Sequence, residues 1–228
     1  MKYDNVVTGT FLARPNRFVA HVLLDGEIQV CHVKNTGRCR ELLVPGAQVA
    51  LARCDNPARK TKWDLIAVWK GDMLINMDSQ APNPVFARWA TETGYPGGLT
   101  YLKPEAKWGL SRFDFYYEAG AERGYIEVKG VTLEDGGVAR FPDAPTARGA
   151  RHIRELIECR RQGLGAHLVF VIQMPGMKWL EPNRATDPAF ARAMEDAKRA
   201  GVDMLALGCR VEKDSLEIAE LVEIKLPK

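Results

Sequence analysis

Asp114, Glu127 and Lys129 are the residues of this chain whose types and spacing best fit a reaction. Glu127 and Lys129 stand two apart in Gly124-Tyr125-Ile126-Glu127-Val128-Lys129. That run alternates apolar and polar residues, so on a strand both side chains leave the same face and place an acid beside a base. If the segment around Asp114 pairs antiparallel with this strand, a second carboxylate reaches the same point. Two converging carboxylates repel each other, and a divalent cation relieves the repulsion. Magnesium suits such a site because it takes oxygen ligands and keeps several waters, one of which can serve as a nucleophile. The expected chemistry is metal-dependent attack of water on a phosphodiester, with Mg2+ or Mn2+ held by Asp114 and Glu127, together with the Val128 carbonyl. Lys129 would orient the water and offset charge on the phosphate. Glu105, in Lys103-Pro104-Glu105-Ala106-Lys107, could add a carboxylate to the outer shell of the ion. The same Glu-x-Lys spacing also occurs on ordinary solvated strands, so the pattern needs support from its surroundings.

Support comes from the next segment. Between Arg140 and Arg161 there are six arginines against three acids, Asp143, Glu155 and Glu158. A helix expected from about Thr146 to Gln162 would carry Arg148, Arg151 and His152 near its N-terminus, and both arginine and a helix N-terminus attract phosphate. Arg154, Arg160 and Arg161 read as a solvated helix face.

Two kinds of element must position these groups. Residues 5–13, 18–25, 27–34, 47–52, 63–70 and 72–77 read as short strands, with Asp25-Gly26 suited to a tight hairpin turn. Five or six short strands in about eighty residues suggest a small barrel, and an OB-type barrel has the right size. Gln80-Ala81-Pro82-Asn83-Pro84 interrupts the pattern and marks the expected boundary between a domain at 1–80 and a second at 81–228. Beyond it come a helix from Val85 to Thr93 stopped by Gly94, strands at 113–117 and 125–129, the arginine-bearing helix, and a doubly buried strand from His167 to Gln173. A helix capped by Asp187 with Pro188 in its first turn, a strand from Val202 to Leu207, and a closing hairpin over Cys209 to Lys228 complete the chain. The fold class is therefore mixed α/β, a barrel followed by a sheet flanked by helices.

Composition narrows the partners. At 228 residues with a formal net charge of +3, the chain has ample core and only a slight positive balance. No apolar run reaches the length of a membrane span, Met1-Lys2-Tyr3-Asp4-Asn5 lacks a signal-peptide stretch, and a cytoplasmic protein without a membrane partner is expected. The five cysteines, Cys31, Cys39, Cys54, Cys159 and Cys209, are odd in number and lack any C-x-x-C pair, so reduced buried thiols are expected in place of disulfides or zinc. Asn35, Gly37 and Arg38 fit equally a loop that contacts phosphate or the other domain, and a simple tight turn. Arg53, Arg59, Lys60 and Lys62 read as solvated loop charges. Trp63 and Trp69, six apart on one strand, are expected on one face in the core. His21, His167 and Trp179 suggest no chemistry.

Several of these blocks together resemble the sugar fermentation stimulation protein A family. They are Leu110-Ser111-Arg112-Phe113-Asp114, Glu127-Val128-Lys129, Phe141-Pro142-Asp143-Ala144 with Thr146, Arg148-Gly149 and His152, and, upstream, His32-Val33-Lys34-Asn35-Thr36-Gly37-Arg38 with Glu41-Leu42-Leu43-Val44-Pro45-Gly46. The resemblance covers nearly the whole chain. It implies an N-terminal OB-type domain, a C-terminal restriction-endonuclease-like domain similar to the PD-(D/E)XK nucleases, DNA as the partner, and a link to sugar (maltose) utilisation. Asn35, Arg38, Arg112, Thr146, Arg148, Arg151 and His152 then become the nucleic-acid-binding set. Phe113 departs from the strict nuclease pattern, in which a proline precedes the aspartate. A nuclease-like enzyme and a DNA-binding transcriptional regulator that keeps the fold without hydrolysis both remain open. So do the form of DNA, single- or double-stranded, and a homo-oligomeric state.

Overall fold

Asp25 and Gly26 both have positive φ, 51° and 83°, the conformation a two-residue hairpin turn demands. They join two of the strands that make up the first half of the molecule. In a computed structural model, which describes residues 1–226 except Thr36 and Leu110, this half contains β1 (Val6–Asn16), β2 (Val19–Leu24), β3 (Glu27–Val33), β4 (Gln48–Arg53), β5 (Trp63–Lys70) and β6 (Met73–Asn76). Thr36 and Leu110, both within the motifs quoted above, and Pro227 and Lys228, at the end of the expected closing hairpin, lie outside the described residues. The strands run in the order β3-β2-β1-β4-β5-β6, and a parallel pairing of Cys31–Val33 with Trp63–Leu65 closes the first five into a barrel. Phe11, Val22, Cys31, Val49, Leu51 and Leu65 fill its interior. Cys31, Cys39, Cys159 and Cys209 are buried free thiols, and Cys54 is half-buried and also free.

Trp63 and Trp69 do not share a face. The β4–β5 register slips between Ala50/Ala67 and Leu51/Leu65, and this bulge at Ile66 reverses the strand's sides. Trp63 packs into the barrel interior, whereas Trp69 packs on a separate cluster with Ile66 and Ala67.

The second half opens with α1 (Pro82–Thr93) and continues through β7 (Leu99–Trp108), β8 (Ser111–Ala119), β9 (Glu122–Val131), β10 (Leu133–Asp135), β11 (Val138–Phe141), α2 (Ala147–Arg161), β12 (Gly165–Ile172), β13 (Trp179–Pro182), α3 (Pro188–Arg199), β14 (Asp203–Glu212) and β15 (Ser215–Val222). The helix α1 begins three residues earlier than expected. Pro82 and Pro84 sit in its first turn, where a missing N–H costs nothing, so they start the helix and do not merely interrupt the strands. Gly94 ends it in the left-handed conformation, φ 71°.

Six strands form one mixed sheet, β15-β14-β12-β9-β8-β7, in which β9, β12 and β14 are parallel. A small second sheet joins β10, β11 and β13. Helices α2 and α3 cover one face through Ile153, Leu156, Phe190 and Met194. The other face packs on α1, with Phe86 against Phe115, Tyr117, Ile126 and Val169. All of β12 is buried, as expected of a strand covered on both sides.

The two halves are joined by more than a linker. The core under α2 and α3 runs on into the barrel interior as one cluster. Gln173, just beyond β12, donates to Asn76 Oδ1 at 2.9 Å and to the Asp78 carbonyl at 3.0 Å, and its own carbonyl accepts from Asn76 N at 2.9 Å. Lys70 of β5 pairs with Glu134 of β10. Met1–Tyr3 lie along the β14–β15 hairpin, with Tyr3 N donating to the Asp214 carbonyl at 2.7 Å. Among the described residues no helix is long and apolar enough to cross a membrane.

Candidate functional site

The β8–β9 ladder runs from Ala119↔Glu122 to Phe115↔Ile126 and stops at Asp114. There the aspartate side chain takes over as acceptor: its Oδ2 receives the Val128 backbone N–H at 2.8 Å. Its Oδ1 accepts from Asn83 Nδ2, in the first turn of α1, at 2.8 Å. The interruption also turns the chain over. Phe115 packs toward α1, 5.6 Å from Phe86, yet Phe113, of the same parity, lies on the α2 side, 5.4 Å from Tyr125 and 6.0 Å from His152. Phe113, the residue that departs from the strict nuclease pattern, thus fills the α2 face.

Glu127 is only 3% exposed. Its Oε1 accepts from Lys129 Nζ and from His152 Nδ1. Its Oε2 is buried with no hydrogen-bond partner. Arg148 Nε donates to His152 Nε2 at 3.4 Å, so Nε2 is the acceptor of the ring and Nδ1 carries the proton given to Glu127. The expected acid–base neighbours therefore meet, and Asp114 joins them from the adjacent strand.

The two carboxylates are unequally supported. Burial, followed by the charge of Glu127, pushes the Asp114 carboxyl above its ordinary range. Burial would raise Glu127 as well, but the hydrogen bond from His152 and the charge of Lys129 outweigh it and hold Glu127 below its ordinary value. One carboxylate is thus ionised by its own partners, while its neighbour is short of positive charge.

The remaining sequence-derived residues are distributed differently from the expectation. Glu105 is not drawn toward Asp114. It sits in a left-handed conformation (φ 52°) on the outer strand β7, exposed, and pairs with Arg112 at 3.0 Å. Arg112 is likewise exposed and engaged there. His152 is buried (3% exposed) and acts on Glu127, so it cannot be a surface contact for nucleic acid. Thr146 is the N-cap of α2: its Oγ1 accepts from Gly149 N at 3.0 Å, and its own N–H donates to Asp187, which also caps α3. Arg148 and Arg151 are exposed in the first two turns of α2, and Arg38 is exposed on the barrel loop. Asn35 forms the tight turn, accepting from Gly37 N at 2.8 Å, and also faces the second domain across a cleft. The loop is thus a tight turn that also stands against the second domain. The Arg14 guanidinium fixes it by donating to the carbonyls of Asn35, Gly37 and Arg38.

Asn83 and the Ser111–Glu155 hydrogen bond of 2.7 Å were not foreseen. Asn83 lies in the proline-flanked stretch read as a linker. A polar residue between two prolines that can open a helix was the signal available for it.

Comparison with known proteins places both halves. Residues 12–77 match the family model described as the SfsA N-terminal OB domain, and residues 80–215 match the one described as the sugar fermentation stimulation protein RE domain. A sugar fermentation stimulation protein homolog of Clostridium beijerinckii is 50% identical over 226 residues, covering 99% of this chain and all of the relative. One from Desulfitobacterium hafniense strain Y51 is 54% identical, with 99% of each chain covered. The solved structure of Pyrococcus furiosus SfsA in complex with Ca2+ superposes with a TM-score of 0.90 at 28% identity, over 99% of this chain and 98% of that one. So high a score over both halves means that their relative placement is similar as well.

Proposed function

The chain belongs to the sugar fermentation stimulation protein family, and on that premise we propose that it is a DNA-binding protein with a nuclease-type, divalent-metal-dependent phosphodiesterase site at Asp114, Glu127 and Lys129. The observation that carries the reading is the buried Oε2 of Glu127, without a partner beside a second carboxylate. An unsatisfied buried acceptor costs about 1–3 kcal/mol, more when it is charged. The arrangement makes sense where a cation completes it.

The donor set fits a hard ion. Among the described residues no group of three or more His, Cys, Asp or Glu side chains is placed to hold a metal ion by itself, so an ion here would draw its remaining ligands from water and substrate. Two carboxylates, with water and substrate phosphate for the remaining positions, suit Mg2+ or Mn2+. The Ca2+ in complex with the Pyrococcus furiosus relative is another oxygen-seeking ion and supports the same choice. Asp114 and Glu127 would hold such an ion, which would supply polarisation of a phosphoryl oxygen and acidification of water.

The protein's own groups have separate tasks. His152 and Lys129 both donate to Glu127 Oε1, which leaves the buried Oε2 without a donor. Asn83 and the Val128 amide fix both oxygens of Asp114. Lys129, held by Glu127 and with its side chain 15% exposed, keeps donors for a water or a non-bridging phosphate oxygen. Arg148, Arg151 and Arg38 are exposed and can meet phosphates of the same strand.

The test is cleavage of single-stranded, linear duplex and supercoiled DNA with Mg2+ or Mn2+. Asp114→Asn and Lys129→Ala should each lower the rate by at least about a hundredfold, the scale of one lost transition-state contact, and leave DNA affinity within a few-fold of the parent. Cleavage that survives in a clean Lys129→Ala preparation would refute the assignment. Salt-sensitive binding without cleavage under either metal would favour the regulator that retains the fold.

A further inference from the structure

We infer that the cleft between the two domains is a nucleobase-binding site, which takes one base of the strand whose phosphodiester lies at Asp114, Glu127 and Lys129. The inference rests on the function proposed above.

The cleft opens beyond the carboxyl ends of the parallel strands β9 and β12, the usual place for a ligand in a sheet of this kind. Thr132 follows β9, Gln173 follows β12, and Asn35 of the barrel faces them. Its volume is about 110 Å³. A single water needs only ~10–15 Å³ on this measure, so there is room for several waters or one flat ring, and none for a duplex.

Two glycines let the walls come together. A Cβ on Gly130 would lie 2.5 Å from Gln173 Oε1 and 2.7 Å from Pro82 Cγ. A Cβ on Gly37 would lie 2.5 Å from Asp143 Oδ2. The barrel loop therefore approaches the second domain closely enough to wall the cleft. Gly130 is also the residue after Lys129, so the cleft and the carboxylate site share strand β9.

The lining selects the ligand by charge. Arg140 is already engaged, its Nε with Glu181 at 2.9 Å and its Nη1 with Asp135 at 2.7 Å. Asp143 adds a carboxylate. An anion such as a second phosphate is thus disfavoured, and the amides of Asn35 and Gln173 and the hydroxyl of Thr132 disfavour a purely apolar guest. A neutral, planar molecule with donors and acceptors on its edge remains, which describes a nucleobase. Phe141 supplies an aromatic wall, held rigid by Phe170 at 5.8 Å and Phe190 at 5.1 Å between ring centroids.

The experiment uses the full chain carrying Lys129→Ala, to prevent cutting, and a fluorescent dT dodecamer beside a dodecamer of the same backbone without bases. The parent should bind the abasic strand roughly tenfold or more weakly, the low end of what one stacked base contributes. Thr132→Phe, which fills the cleft, should reduce that ratio to below about twofold. A second variant, Asn35→Ala with Asp143→Ala, removes edge contacts without adding bulk, and should lower the ratio as well while keeping the circular dichroism of the parent. Failure to bind either strand would overturn the proposed function and this inference with it. Equal binding of the two strands by the parent, or a ratio unchanged in both folded cleft variants, would overturn this inference alone.

Discussion

Asp114→Asn should have opposite consequences with and without metal, and the structure sets both magnitudes. In chelator, the substitution removes the repulsion between the half-buried Asp114 and the buried Glu127, the interaction that helps to raise the Asp114 carboxyl. The new side chain keeps one acceptor for the Val128 amide, and the Asn83 amide can rotate to offer its oxygen to the new NH2 group. Stability should therefore stay within about 1 kcal/mol of the parent, since one hydrogen bond of ordinary strength is exchanged for another. Saturating Mn2+ should separate the two proteins. At a hundred times its dissociation constant a ligand adds about 2.7 kcal/mol to the native state. For a chain of this length each kcal/mol moves the midpoint by roughly 2–4 °C, so the parent should gain ~5–11 °C. Because one core runs through the barrel and the α2/α3 layer, a single transition should report it. Asp114→Asn and Glu127→Gln should each gain less than about 2 °C at the same free Mn2+. The assay is thermal unfolding by circular dichroism over a Mn2+ titration, with EDTA as the zero point. An equal Mn2+ shift in all three proteins would place the ion elsewhere. A loss above about 3 kcal/mol for Asp114→Asn in EDTA, the cost of breaking a buried ion pair, would mean that the carboxylates serve the fold and are not poised for a cation.

Two further outcomes follow from buried histidines. His152→Ala deletes a donor to the Glu127 carboxylate and should cost about 1.5–3 kcal/mol in urea unfolding, whereas His152→Gln, which can donate from the same side, should recover much of it; equal losses would show that the hydrogen bond to Glu127 contributes little. His167 lies between the hydroxyls of Tyr95, 2.9 Å from Nδ1, and Tyr117, 2.8 Å from Nε2. Tyr117 gives its proton to Glu122, so it accepts from Nε2–H, and Nδ1 must accept from Tyr95. Burial lowers the pKa of His167 from the usual 6.5, against the pull of Asp203 and Glu122 and with that of Arg160. Below pH 6.5 the unfolded imidazole binds a proton that the folded one resists, so stability should fall as pH drops through that value. The slope should approach ~1.4 kcal/mol per pH unit until the folded ring protonates. Urea unfolding between about pH 5 and 8 should show this slope in the parent and its loss in His167→Gln; identical slopes would assign the acid sensitivity to other groups.

The alternation around Glu127 and Lys129 was legible because a strand's period of two is written directly into the residues. Strands whose sides are not distinguished by burial were not. β7 is an edge strand in which only Ala106 is buried, so its sequence, Leu-Thr-Tyr-Leu-Lys-Pro-Glu-Ala-Lys-Trp, carries no apolar period, and the short β10, β11 and β13 carry too few residues to show one. Where a side chain replaces a backbone group, parity itself misleads. The Asp114 carboxylate takes the amide that a ladder carbonyl would have taken, and the next residue toward the N-terminus, Phe113, then faces α2 and not α1. His152 misled in another way: its charge type suggested a surface contact, although its spacing from Gly149, Ile153 and Leu156 places it on the buried stripe of α2. On a packed helix the period, not the residue type, decides burial. Both cases bear on the site, because the irregularity at Asp114 brings a second carboxylate near and the buried His152 holds one oxygen of Glu127, whose other oxygen is buried without a partner. A regular hairpin with a surface histidine would have contained the same Asp, Glu and Lys and would have solvated them.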